Sequence, residues 1–441
     1  MRLITTRMRL YGLLTTLALA VGLTVAASLA TRVSPSPAAA DPGPYERLST
    51  GGISAGIGRL QGHLRAQPRD AGGWATLGLS YVEQARLTAD PAYYPKAEAA
   101  LGRALKERPA DNDTAHAGLA PLAAARHDFA TALAQADQAI AINPYGQNAL
   151  AVRIDALVEL GRYADAMTAA KHADAVAPGT PVFTRLAYVN ELRGHVGEAR
   201  RILNLAAASA TDPGDQAYVH DQLGELAWSS GHLTTAAREF GLALRHEPSY
   251  LPAVDGRARV RAARGNVAGA ITDHQAVVAT LPLPQYLTGF GELLEARKQP
   301  AEAARQYAVA GAWATLARAG GVATDLETAL FNADHGDHAQ ALQAARAEWA
   351  RRHSVHVADA LGWALHVNGR DAEALTYARR ANATGYRNAS FRYHLGVIEK
   401  ALGKRAGARR DLAGALSLNE HFSPLYAPRA LTALHSLGGR S

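Results

Sequence analysis

Small and helix-breaking residues recur in this chain at a fixed spacing of about 34 residues. One set is Gly231, Ala236, Ala243 and Pro248, and one period later stand Gly265, Ala270, Val277 and Pro282. Glycine ends a helix with a positive φ, alanine lets two antiparallel helices approach closely, and proline cannot continue the second helix. The recurring unit is therefore a helix, a tight turn, a second helix and a stop, and stacked copies of it form a solenoid.

The same slots are filled in other parts of the chain. They hold Gly161, Ala166, Ala173 and Pro178 in one unit, Gly369, Ala374 and Ala381 in another, and Gly403, Ala408 and Ala415 in the next. Residues 70–441 have room for about eleven units of this length, and we count about ten. A solenoid buries its apolar surface between neighbouring units, so a chain of 441 residues need not divide into globular domains.

The pattern resembles that of the tetratricopeptide repeat (TPR) family. The first unit carries Trp74, Leu77, Gly78, Tyr81, Ala97, Leu101, Ala104 and Pro109, and the fifth carries Leu223, Gly224, Ala236, Phe240, Ala243 and Pro248. The resemblance implies an all-α fold, a right-handed superhelical solenoid of about ten TPR-like helical hairpins. It also implies that the first helix of each unit lines a concave face.

The repeat array is predicted to occupy residues 70–421, between a linker with a leading helix at 41–69 and a capping helix and tail at 422–441. Units two, seven and eight depart from the pattern, at Pro121, Lys298 and Glu348, and irregular geometry is expected there. The first unit has a long loop, residues 89–95. Its Tyr93 and Tyr94 either pack on their own hairpin or form a contact surface.

The N-terminal segment, residues 1–40, has the layout of an export signal. Three arginines precede the uncharged residues 10–30, and Ala38, Ala39 and Ala40 stand before Asp41 as a signal peptidase site. The apolar segment is also long enough to remain as a membrane anchor, so both outcomes stay open. Either one places the repeats outside the cytoplasm, secreted or anchored. The chain has no cysteine, which excludes a lipobox anchor and disulfides.

The charge of the chain argues against a nucleic-acid partner. The net charge is +7, but residues 1–40 hold four arginines and no acid, and the remainder has 42 basic against 39 acidic residues, a net charge of +3. The basic residues are scattered along the helices, whereas a nucleic-acid interface needs a clustered basic face.

Two motifs could indicate catalysis or metal binding, but neither has the context or spacing that such a site needs. Residues 52–56 fit the G-x-S-x-G pattern, but no strand precedes Ser54, and the segment is interpreted as a flexible linker. The densest set of metal-ligand types is that of His335, His338, His353 and His356, in the eighth and ninth units, without the spacing of a zinc motif. No catalytic residue, cofactor or enzymatic activity is predicted.

Acidic and aromatic residues fall on the predicted concave face. The set predicted to bind a partner is Tyr188, Asp221, Glu225, Trp228, Glu292, Asp359, Trp363 and Tyr393. Tryptophans would serve as anchors and carboxylates as steering charges for a protein or peptide with basic and apolar groups. The leading hypothesis is a non-enzymatic, extracytoplasmic interaction scaffold. The alternative is an extracytoplasmic metal or small-molecule handling protein that uses the histidines.

Overall fold

A computed structural model describes residues 52–88 and 90–438 of the chain, and in this part it contains 22 α-helices and no strand. The expectations for the signal or anchor segment concern residues 1–40 and lie outside the described residues. The prediction of an all-α helical solenoid is confirmed. None of the described helices is both long enough and apolar enough to cross a bilayer.

Twenty of the helices form ten consecutive hairpins, units one to ten, which agrees with the predicted number. The first helices of the units are α2 (Ala71–Thr88), α4 (Asp113–Ala125), α6 (Gln147–Glu159), α8 (Thr180–Glu191), α10 (Pro213–Ser229), α12 (Leu251–Ala263), α14 (Pro284–Ala296), α16 (Asp325–His335), α18 (Val355–Val367) and α20 (Ala389–Ala401). The second helices are α3 (Tyr93–Glu107), α5 (Phe129–Ile142), α7 (Tyr163–Val176), α9 (Val196–Ser209), α11 (Leu233–His246), α13 (Val267–Thr280), α15 (Pro300–Ala319), α17 (His338–Arg351), α19 (Asp371–Ala381) and α21 (Arg405–Leu418). A leading helix, α1 (Ile53–Ala66), and a final helix, α22 (Tyr426–Ser436), flank them.

The hairpins pack by placing a large side chain of the second helix against glycine in the first helices. Phe240 of α11 is fully buried between Gly224 of α10 and Gly256 of α12. A Cβ atom would lie 2.5 Å from the phenyl ring at Gly224 and 2.4 Å from it at Gly256. Only glycine therefore lets these helices approach so closely, which explains the small residues of the repeat pattern.

The three departures from the repeat pattern in units two, seven and eight are accommodated in different ways. Pro121 lies inside α4, and Lys298 has a φ of 61° in a turn where units three to six, nine and ten have glycine. In unit seven the second helix, α15, is 20 residues long. The carboxylate of Glu348 in unit eight is buried and paired with Arg352.

Successive turns of the superhelix touch each other, so that units three to five lie against units eight to ten. A Cβ atom on Gly161 would be 2.5 Å from the carbonyl oxygen of His353, and one on Gly231 would be 2.6 Å from that of Leu418. The backbone N–H of Val355 donates to the Tyr163 hydroxyl at 2.7 Å, 192 residues away in sequence. These contacts close the concave face into an interior space.

The structure differs from the linker interpretation of Ser54 and agrees with the packing of Tyr93 and Tyr94 on their own hairpin. Ser54 lies in the first turn of α1 rather than in a flexible linker, and its hydroxyl donates to Gln84 at 3.3 Å. Tyr94 is buried, and the ring of Tyr93 lies 6.0 Å from that of Tyr81 in the same hairpin. Both tyrosines therefore pack on the array.

Candidate functional site

The interior of the superhelix holds a cavity of about 510 Å³, which we name the central cavity. Its lining comes from the first helices of units three to seven, namely Asp155, Val158, Glu159, Thr184, Arg185, Tyr188, Tyr218, Asp221, Gln222, Glu225, Pro252, Asp255, Arg259, Gln285 and Tyr286. Gln285 is the exposed member of this set and marks where the cavity meets solvent. The volume is in the range of sites that hold a small ligand or a few side chains of a partner.

The lining has more acidic than basic groups. It includes five carboxylates and two guanidinium groups. Arg185 is buried and binds Asp155, with its Nη2 2.9 Å from Oδ2. Arg259 donates from Nε to Asp255 at 3.0 Å and forms a two-pronged ion pair with Glu225. Both guanidinium groups are therefore occupied by carboxylates of the lining.

Asp221 is left without a full set of partners. Its side chain is buried, with 2 % exposed, and its Oδ1 has no hydrogen-bond partner among the described residues. Its Oδ2 accepts only a long contact of 3.5 Å from the amide of Gln222. Burial and the nearby charge of Glu225 raise the pKa of Asp221 well above its usual range, although Arg259 acts in the opposite direction.

Other groups near the cavity also titrate abnormally because they are enclosed. Burial and the charge of Glu225 raise the pKa of Glu191, at the end of α8, to about 7. Burial raises the pKa of the Tyr218 hydroxyl to about 12. By contrast, the pKa of Asp255 is lowered: burial alone would raise it, but His274 and Arg259 outweigh that effect. The interior thus holds two acids, Asp221 and Glu191, whose ionised forms are disfavoured.

Two of the residues predicted to bind a partner, Trp228 and Glu292, lie in a second cavity of about 390 Å³. This cavity lies between α10, α12, α14 and the segment 420–428 that precedes and begins α22. The guanidinium of Arg259 is 5.3 Å from the Trp228 ring, and Arg259 also lines the central cavity. Glu292 accepts a hydrogen bond of 2.9 Å from Ser423.

Three other predicted residues, Asp359, Trp363 and Tyr393, are buried in an aromatic cluster and are not open to a partner. Trp363 is 6 % exposed, stacks on His394 with 4.2 Å between centroids, and donates from Nε1 to Asp334 at 2.8 Å. The Oδ2 of Asp359 lies 2.9 Å from Nδ1 of His394. Their roles as an exposed anchor and a steering charge are therefore wrong, because α20 and α22 cover this part of the inner face. We call Asp359, Trp363, Tyr393 and His394 the aromatic cluster.

The four histidines considered for metal binding do not converge. His335 stacks on Tyr307 at 4.2 Å, His353 packs edge-on against Trp349 at 4.4 Å, and His338 is exposed at the start of α17. Burial lowers the pKa of His356. Within residues 52–88 and 90–438, no group of three or more His, Asp or Glu side chains is arranged to hold a metal ion.

The repeat spacing identifies several lining residues that the concave-face prediction missed. Thr184, Tyr218, Pro252 and Tyr286 follow one another at intervals of one repeat period. A comparison of equivalent repeat positions would have found them. The pairing of Arg185 with Asp155 has no such signal, since it depends on how α6 and α8 pack.

The chain matches no protein-family model, and no curated protein matches it. Similar solved structures include the human IFIT1 dimer with PPP-AAAA. The alignment covers 74% of this chain and 77% of that chain at 19% sequence identity, with a TM-score of 0.47. They also include the APC/C hetero-tetramer Cut9-Hcn1, at 13% identity, 89% and 88% coverage and a TM-score of 0.40. A thermophilic TPR protein of Thermus thermophilus aligns at 26% identity with 44% of this chain and 98% of that chain, with a TM-score of 0.38.

The hairpins of the chain itself, with small residues in fixed slots and glycine turns between helices, define its class. It is a helical-repeat solenoid of TPR-like units. The central cavity, with its acidic and tyrosine-rich lining, is its best candidate site.

Proposed function

We propose that this protein is a non-enzymatic, extracytoplasmic scaffold that binds a basic segment of a protein partner inside its superhelix. The observation that supports the partner's charge is the excess of carboxylates in the central cavity, five against two guanidinium groups. Charge complementarity speeds association and suppresses partners of the wrong sign. The proposed location rests on the charged and apolar residues 1–40.

The cavity also limits how much of a partner it receives. Contacts between superhelical turns, such as that between Gly161 and His353, close the concave face laterally. A long peptide lying along an open groove is therefore disfavoured, and one or two inserted basic side chains fit the volume better. The same acidic lining disfavours an RNA such as the PPP-AAAA bound by human IFIT1, because phosphates require basic partners.

A binding measurement with matched peptides tests the proposed function. A fluorescent decapeptide with four lysines should bind at least about tenfold more tightly than its counterpart with four glutamates. Gln285→Trp, at the mouth of the cavity, should weaken binding of the lysine peptide, whereas Gln138→Trp, on the exposed face of α5, should leave it unchanged. Equal binding of both peptides, or no effect of Gln285→Trp, would contradict the proposal.

The proposed location has its own test. Fractionation of the producing cells and N-terminal sequencing should find the repeats outside the cytoplasm. A mature chain that begins at Asp41 indicates cleavage, and a full-length chain in the membrane indicates an anchor. A purely cytoplasmic, unprocessed chain would exclude both.

A further inference from the structure

We propose that Asp221, in the cavity that Tyr188, Tyr218 and Tyr286 also line, forms a binding site for a protonated amine that carries at least one N–H group. The inference rests on the proposed function, since both use the central cavity. It adds the identity of the acceptor and the chemistry of the group that the cavity receives. The protonated amine belongs either to a lysine side chain of a partner or to a free aliphatic amine.

The charges around Arg259 are not balanced. Three carboxylates, those of Asp221, Glu225 and Asp255, face this single guanidinium. Arg259 forms hydrogen bonds with Glu225 and Asp255, and Asp255 is also 3.2 Å from Nδ1 of His274. Asp221 is therefore the carboxylate that the protein's own cations leave over.

One carboxylate oxygen of Asp221 lacks a hydrogen-bond partner among the described residues. This oxygen, Oδ1, is buried, and its residue lines the cavity. An unpaired buried carboxylate oxygen is costly, and most buried polar atoms of native proteins have a hydrogen-bond partner. A ligand with an N–H donor would satisfy this oxygen directly.

Three tyrosines form part of the wall of the central cavity. Tyr188 of α8, Tyr218 of α10 and Tyr286 of α14 line the same cavity as Asp221. Aromatic rings attract organic cations through their π faces and also cover the carbon chain that carries the charge. The surroundings therefore suit an alkylammonium ion better than a small hydrated inorganic ion.

The ion pairs already formed in the cavity favour an ammonium over a guanidinium as the bound cation. A guanidinium needs a bidentate acceptor, and the one on Glu225 is taken by Arg259. An ammonium is a compact charge that can direct a single N–H at Oδ1 of Asp221. A fully methylated ammonium has no N–H and would leave that oxygen unsatisfied.

Binding at this site should depend on pH. The charged or titratable groups that face Asp221 are Tyr218 and Glu225 on its own helix, Arg259 and Asp255 on α12, Tyr250 before it and Tyr286 on α14. The raised pKa of Asp221 means that a proton competes with the amine for the carboxylate. Amine binding should therefore weaken as the pH falls and should release a proton.

Isothermal titration of the purified full chain with hexane-1,6-diamine tests the site, with the fully methylated bis-quaternary analogue as the matched probe. The diamine should bind at least about tenfold more tightly than the analogue, since hydrogen bonds to charged groups are the stronger class. Asp221→Asn, which keeps the shape of the side chain, should abolish that preference. Asp411→Asn is the control, because Asp411 is also buried but pairs with Arg410 on α21, outside the cavity.

The outcomes separate the site from the proposed function. Equal affinity of the two probes for the wild-type protein, or an unchanged preference in Asp221→Asn, overturns the amine site even if the lysine peptide still binds. Binding of the diamine without any binding of the lysine peptide supports the amine site, with a free amine as its ligand, and overturns the protein partner. Failure of both ligands to bind overturns both proposals.

Discussion

Asp221 in the central cavity and Asp359 in the aromatic cluster occupy the same position of the repeat, yet their environments differ. Each stands ten residues before the turn glycine of its unit, Gly231 and Gly369 respectively. Asp359 is 2.9 Å from His394 of the next unit, whereas Oδ1 of Asp221 has no partner among the described residues. The repeat position alone therefore does not determine whether an inner-face carboxylate is paired with a neighbouring side chain or left unpaired.

The difference arises from the elements that come after each unit. Beyond unit nine, the aromatic residues of α20 and the segment leading into α22 fill the inner face, and Tyr393 packs on Tyr426 and Phe422. Beyond unit five, α12 and α14 contribute Pro252, Gln285 and Tyr286 to the lining and leave a space of about 510 Å³. The helices that follow each unit therefore bury the aromatic cluster in a core and leave the central cavity open.

The largest expected difference between the two regions concerns their tryptophans. Trp363→Ala should reduce the free energy of unfolding by about 3 kcal/mol, because it removes a buried ring, leaves a void and breaks the hydrogen bond to Asp334. Trp228→Ala should cost less than half as much, since its ring is only half-buried. Denaturation midpoints followed by circular dichroism measure both, and equal losses would show that the aromatic cluster is not a core.

Replacing aspartate by asparagine should change the stability of the protein in opposite directions at the two equivalent positions. Asp359→Asn should destabilise the protein by about 2 kcal/mol at pH 6, because it weakens a hydrogen bond to a buried, charged imidazole. Asp221→Asn should stabilise it at pH 7, because the amide removes the need to bury an ionised carboxylate. Urea denaturation of the two variants beside the wild-type protein gives both values.

The pH dependence sharpens this contrast. Burial alone would lower the pKa of His394, but Asp359 raises it overall, so the pair stabilises fully below about pH 6.5 and less as the pH rises above it. The cost of Asp359→Asn should therefore shrink at pH 9. The pKa of Asp221 is raised by burial, so the advantage of Asp221→Asn should vanish below about pH 4. A constant difference across pH in either variant would contradict the corresponding assignment.

The smallest predicted effect tests the contacts that close the interior. Gly231 and Gly265 have φ of 73° and 81°, so alanine at either position should cost about 1 kcal/mol of backbone strain. At Gly231 a Cβ atom would also lie 2.6 Å from the carbonyl of Leu418, whereas at Gly265 nothing in the described chain lies within 4 Å. Gly231→Ala should therefore destabilise clearly more than Gly265→Ala in the same denaturation assay. Equal costs would mean that the superhelical turns separate readily in solution.

The sequence by itself determined the local fold. Glycine, alanine and proline at a fixed spacing were sufficient to predict paired helices and their number, because these residues act through backbone conformation and close helix contact within one unit. The resemblance to the TPR family implied that the first helices line the inner face, and Tyr188, Asp221 and Glu225 of those helices do line the central cavity.

Only the tertiary structure decided which inner-face residues line a cavity and which pack into a core. Contacts such as that between Trp228 and Asn419, 191 residues apart, depend on the pitch of the superhelix, which accumulates from small rotations between many units. No single repeat encodes that pitch. The tertiary structure therefore buried Trp363 and Asp359, moved Trp228 into a second cavity, and left Asp221 as an unsatisfied carboxylate in the central cavity.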